Sequence, residues 1–90
     1  MPRYLVERSF SDGLALPQRV GSSPGLLAVI ENNALDGVTW LHSYIVPERQ
    51  KSYCICDAPT PEAVRRAAGR NGWPVDRISE VRVLDPYGSA

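Results

Sequence analysis

Ring side chains recur at every second position, Trp40, His42 and Tyr44, through Val38-Thr39-Trp40-Leu41-His42-Ser43-Tyr44-Ile45-Val46, a period of two that predicts a β-strand. On a regular strand Trp40, His42 and Tyr44 share one face, and Leu41, Ser43 and Ile45 the other. Residues 3–8 predict a first strand with Tyr4 and Val6 opposed to Leu5 and Glu7, ended by the turn signal Ser11-Asp12-Gly13. Residues 51–57 read as a strand returning after the short Pro47-Glu48-Arg49-Gln50 loop, which makes an antiparallel hairpin. A last strand is expected over residues 78–84.

Two segments carry helical spacing instead. Ser23 suits an N-cap with Pro24 at the first helical position, and Leu26, Leu27, Ile30 and Ala34 follow as an apolar stripe before Asp36-Gly37 ends it. Gly25 weakens that opening turn. The second helix is better marked: Thr60 caps it, Pro61 opens it, and Glu62 sets negative charge at the positive end of the dipole. Ala63, Val64, Ala67 and Ala68 form a small-residue stripe for close packing. Asn71-Gly72 fits a left-handed cap, with Trp73 folding back on Ala68 and Pro74 preventing continuation.

The order strand, helix, strand, strand, helix, strand is that of a ferredoxin-like βαββαβ sandwich, an α+β fold with two helices on one face of a four-stranded antiparallel sheet. Right-handed crossovers give the strand order fourth, first, third, second. Residues 1–86 are expected to form a single domain and residues 87–90 a tail. Leu41 and Ile45 with the small Cys54 and Cys56 suit the helix-covered side, because an alanine-rich helix must come close. Trp40, His42, Tyr44, Tyr53 and Ile55 would then lie on the open face. An exposed apolar and aromatic patch of that kind marks an interface or a ligand groove, so a homodimer through or beside it is expected.

Ninety residues limit the chain to one modest core. Ten basic residues against ten acidic leave no broad field to attract nucleic acid or an anionic membrane, and neither is an expected partner. Arg65, Arg66 and Arg70 sit late in the second helix, where they complement its dipole and face water. No apolar run is long enough for a span or leader, so the expected location is the cytoplasm. Cys54 and Cys56 stand two apart on a strand, too far for a disulfide, and read as free, buried thiols rather than half of a structural zinc site.

His42 is the chain's only histidine, and any chemistry is expected to start there. If level with it across one intervening strand, Glu7 would stand about 10 Å away at the backbone, and both side chains could then meet one ion. An imidazole suits nickel, zinc or copper, and a carboxylate and a phenol such as Tyr44 would extend a mixed nitrogen and oxygen shell.

The residues Pro2-Arg3-Tyr4-Leu5-Val6-Glu7-Arg8, Trp40-Leu41-His42-Ser43-Tyr44, Tyr53-Cys54-Ile55 with Ala58-Pro59, Pro61-Glu62-Ala63-Val64-Arg65 and Gly72-Trp73-Pro74-Val75-Asp76-Arg77-Ile78 together resemble a family of small bacterial nickel-binding, ferredoxin-like proteins of uncharacterised role. The likeness runs through nearly the whole chain and is weakest over residues 10–36. It implies dimerisation and binding of a divalent metal, nickel first. His42, Glu7 and Tyr44 are the candidate ligands, and Trp40, Tyr53 and Ile55 the candidate interface or ligand contacts.

Two other readings compete. In an enzyme, His42 would act as general base with Tyr44 or Tyr53 as proton donor beside an enclosed pocket. Against it, the sequence has no nucleophile–base–orienter set and no phosphate-cradling or cofactor fingerprint, and Gly21-Ser22-Ser23-Pro24-Gly25 is better explained as a plain cap than as an anion cradle. In a non-catalytic interaction module, the rings would simply bury themselves in a dimer seam.

Overall fold

The structure is a computed structural model that describes residues 1–10, 24–46, 48 and 50–88. Its elements are β1 (Arg3–Ser9), α1 (Pro24–Ala34), β2 (Thr39–Val46), β3 (Lys51–Asp57), α2 (Pro61–Asn71) and β4 (Arg77–Val81). The expected Ser11-Asp12-Gly13 turn, the Ser23 cap and residues 47 and 49 of the hairpin loop lie outside the described residues. One antiparallel sheet has the order β2-β3-β1-β4, the predicted arrangement, with β2 and β4 as its edges.

The last strand is shorter than the apolar run suggests. Arg3 pairs with Val81 at the end of the β1–β4 ladder, and the residue before Arg3 is Pro2, which has no N–H to extend it. Residues 82–85 therefore continue without strand structure, leaving Val83 and Leu84 exposed.

The helix-covered face of the sheet is the core. Tyr4 and Val6 of β1 and Cys54 and Cys56 of β3 are buried there against Ala63, Val64 and Ala67 of α2, with Val38 and Ala58 at the margins. The small cysteines and alanines let helix and sheet approach, as their sizes demand. Thr60 Oγ1 accepts the Ala63 N–H at 3.1 Å, the expected N-cap. At the other end Gly72 is left-handed at φ 67°, its N–H donating to the Gly69 carbonyl and the Trp73 N–H to that of Ala68.

α1 is rotated from the stripe expected of it. Leu26, Val29 and Asn33 are buried, whereas Ala34 is exposed and Leu27 is 51% and Ile30 39% exposed. Polar bonds set this angle. Asn71 Nδ2 donates to Asn33 Oδ1 at 3.0 Å, Asn32 Nδ2 donates to Asn71 Oδ1 at 2.9 Å, and the Asn33 carbonyl accepts the Val38 N–H. Once Asn33 faces α2, the residues at i−4 and i−7 follow it inward. Arg66 and Arg70 do not simply face water: their Nε atoms donate to the two oxygens of Asp36 at 3.1 and 2.8 Å, tying α2 to the end of α1. Among the described residues no helix is long and apolar enough to cross a membrane.

Candidate functional site

Strand register decides which predicted residues share a face. His42 pairs with Ile55, and Ile55 with Leu5; one step along, Tyr44 pairs with Tyr53, and Tyr53 with Glu7. Paired residues point the same way, and these two rows alternate with the buried Cys54–Val6 pair, so His42, Tyr44, Tyr53, Ile55, Leu5 and Glu7 all lie on the face away from the helices. The imidazole and the Tyr44 ring meet edge to face with centroids 5.3 Å apart. Tyr44 is 63% exposed and Glu7, Tyr53 and Ile55 are half-buried. A further row holds Arg3 opposite Asp57, where the guanidinium donates to both carboxylate oxygens at 2.8 and 3.3 Å and keeps the Asp57 carboxyl below the usual range.

Trp40 is not on that face. A β-bulge at Leu41 breaks the alternation: Trp40 pairs with Cys56, whereas His42 pairs with Ile55, the next residue along β3. Trp40 thereby turns to the helix side, where its ring packs edge-on against Trp73 at 6.0 Å and its Nε1–H donates to Ser43 Oγ at 2.8 Å. The physical reason is space, since a large ring fills the room that the small Cys56 leaves under α2. Leu41, expected in the core, is the bulged residue and 39% exposed; Ile45 pairs with Ser52 on the helix side but remains 37% exposed on the edge strand.

Glu7 is not level with His42. It lies two strands over and one pair along, which puts the two backbones roughly 12 Å apart. Tyr44, not His42, is its level neighbour across Tyr53. Among the described residues no group of three His, Cys, Asp or Glu side chains is placed to hold a metal ion. The described residues thus offer an imidazole flanked by a phenol on an open edge, which is part of a coordination shell and not a whole one.

On the opposite side of the sheet lies a feature that the ring pattern does not announce. A cavity of about 20 Å3, partly open to solvent, is lined by Arg8, Trp40, Trp73, Cys54, Cys56 and Asn71 among others. Cys54 and Cys56 are free and buried, as expected, and burial pushes the Cys56 thiol up to about 11 despite the nearby Arg8 charge. Arg8 itself is 7% exposed, with its guanidinium over the Trp73 ring at 5.3 Å. The sequence did carry a signal for it. Arg8 shares strand parity with Tyr4 and Val6, so a buried face there must bury Arg8 as well.

Comparisons with known proteins follow the same lines. No curated protein is detectably similar in sequence. The crystal structure of SCO4226 from Streptomyces coelicolor A3(2) superposes with a TM-score of 0.74 at 20% identity, covering 92% of this chain and 99% of that one. At that identity the likeness establishes the ferredoxin-like fold. In sequence, the description that matches is "nickel responsive protein SCO4226-like", over residues 4–81. A match across most of the chain makes this protein a member of the nickel responsive SCO4226-like family.

Proposed function

We propose that the protein is a small dimeric binder of a divalent metal of the nickel type, with His42 as its nitrogen ligand on the open sheet face. The observation that carries this reading is the ring contact of His42 and Tyr44, neighbours on that face of an edge strand, with Ile55 and Leu5 in the row of His42 and Tyr53 and Glu7 in the row of Tyr44. The family description points to nickel, and imidazole is a suitable donor for it. The described residues of a single chain bring together too few donors, so a second copy apposed through this face contributes its own His42, Tyr44 or Glu7. Leu5, Tyr53 and Ile55 would be the dry contacts around the ion. Zinc and copper share the same donor preference. The two free thiols support a reducing compartment such as the cytoplasm as its location.

Calorimetric titration of wild type and His42→Ala with nickel and with zinc tests this directly. Loss of uptake in the variant is expected; undiminished uptake would remove His42 from the shell. Sedimentation with and without nickel reports the second copy. The partly exposed apolar row Leu5–Ile55 also suits a purely structural seam. That second reading gains if neither protein takes up metal while both sediment as dimers.

A further inference from the structure

We propose that Cys54 and Cys56 form a two-coordinate site for a soft monovalent metal ion, Cu(I), on the floor of the cavity at the helix side of the sheet. The site lies across the sheet from His42 and shares no ligand with the nickel shell proposed there.

Both thiols are free and buried, on successive helix-side positions of β3, and both residues line the cavity beneath α1 and α2. A strand residue reaches a cavity on its own side-chain face through that side chain, which in cysteine ends in sulfur. Same-face neighbours on a strand stand about 6.6–6.8 Å apart, too far for an S–S bond. That spacing suits an ion held between them. With each thiolate–metal bond about 2.3 Å long, the two sulfurs need lean only about 1 Å toward each other. The cavity of about 20 Å3 accepts one bare ion and leaves no space for a hydration shell, so sulfur must replace the water.

The donor set selects the metal. Among the described residues no third His, Cys, Asp or Glu joins the pair, which leaves zinc short of its usual four ligands. Cu(I) is soft, prefers thiolates and is satisfied by two of them in line. The charge also balances. As Cu(I) binds, each thiol gives up its proton to solvent, so two protons leave and the bis-thiolate complex carries one net negative charge. Burial opposes negative charge on Cys56, whereas the nearby Arg8 cation favours it. Arg8 is itself 7% exposed and belongs to none of the described ion pairs. A monoanionic complex beside it offsets that buried positive charge through the low-dielectric interior, with no direct contact required. At the other sulfur, the buried Ser52 Oγ lies 3.9 Å from Cys54 Sγ, placed to turn its hydroxyl proton toward a thiolate.

Anaerobic titration of the whole chain with Cu(I), against bicinchoninate as competitor, should load one ion per chain and raise thiolate-to-copper absorption in the ultraviolet. Trp40 and Trp73 are the chain's only tryptophans and both line the cavity, so their emission should fall in step. X-ray absorption at the copper edge should show two sulfur neighbours and no nitrogen, a measurement on wild type that does not depend on any variant folding. Cys56→Ser keeps the size but loses the soft donor, and should weaken uptake about a hundredfold or more. No uptake against the competitor, a copper shell containing nitrogen, or an unaltered affinity in a folded Cys56→Ser overturns the proposal.

Discussion

The two faces of the sheet are cut from the same strands yet obey different rules. On the helix side β1 and β3 present Tyr4, Val6, Cys54 and Cys56, small or flat groups buried against alanines, and the one large ring added there, Trp40, enters only by way of a bulge. On the other side the same strands present Leu5, Glu7, Tyr53 and Ile55, all half-buried, joined on β2 by His42 and Tyr44. The first face is specified by volume, and the second carries the polar-tipped rings. Side chains on the first should therefore govern folding, and those on the second should be nearly free of that duty.

The largest expected effect tests that division head on. Val6 is fully buried at the centre of the helix-side cluster, so Val6→Ala should cost about 2–3 kcal/mol in urea unfolding, from lost transfer energy and the cavity left behind. Ile55→Ala, on the adjacent residue pair of the opposite face, should cost about 1 kcal/mol or less in a dilute monomer. If copies associate through the open face, the Ile55→Ala cost grows with protein concentration while the Val6→Ala cost measured within the protomer does not. Equal costs for both variants at low concentration would erase the distinction.

Trp40 is the residue on which the comparison is sharpest, because simple alternation assigns it to the wrong face. Trp40→Ala should destabilise by about 2 kcal/mol, less than the roughly 3–5 kcal/mol of a fully enclosed ring because Trp40 is only partly buried. A residue of the open face would lose far less. The bulge also shows what was legible in the sequence and what was not. Element order, strand order, the α2 caps and the outward rows of β1 and β3 follow from period and turn chemistry, which are local. The Leu41 bulge depends on Trp73 and Cys56 leaving room for an indole, and α1's rotation depends on Asn32 and Asn33 meeting Asn71; both are set between segments distant in the chain. Glu7's offset from His42 is a register, which hydrophobic alternation fixes only in parity.

Smaller effects are expected where the helix layer is pinned rather than packed. Thr60→Ala removes the side-chain acceptor of the Ala63 N–H and should cost about 1 kcal/mol. Asp36 adds a pH signature. Its carboxyl is held below the ordinary range by the Arg70 hydrogen bond first, with Arg66 adding to it and burial opposing. Because its folded value is depressed, the contribution is fully present above the unfolded value of about 3.9 and is lost as pH falls through the folded one. Thermal midpoints measured from pH 6 down to pH 2 should therefore fall less steeply in Asp36→Asn than in wild type. Parallel acid limbs would mean the two arginines do not couple to folding.

His42→Ala should have the smallest effect on stability, within about 0.5 kcal/mol, and that near-silence is itself informative. The imidazole is exposed on an edge strand, its ring contact is with Tyr44 alone, and no hydrogen bond of the described residues runs through it. A polar ring so placed contributes little to the protomer, so its removal leaves the helix-side core untouched. Nickel then separates the faces in one experiment. If nickel binds the folded protein through His42 as proposed, the wild-type melting temperature should rise with added nickel and the His42→Ala melting temperature should not. Val6→Ala, starting lower, should still rise by a similar increment, since its damage lies on the other side of the sheet. Were the metal-dependent rise lost in Val6→Ala and kept in His42→Ala, binding would belong to the helix side, and the division of labour between the two faces would be reversed.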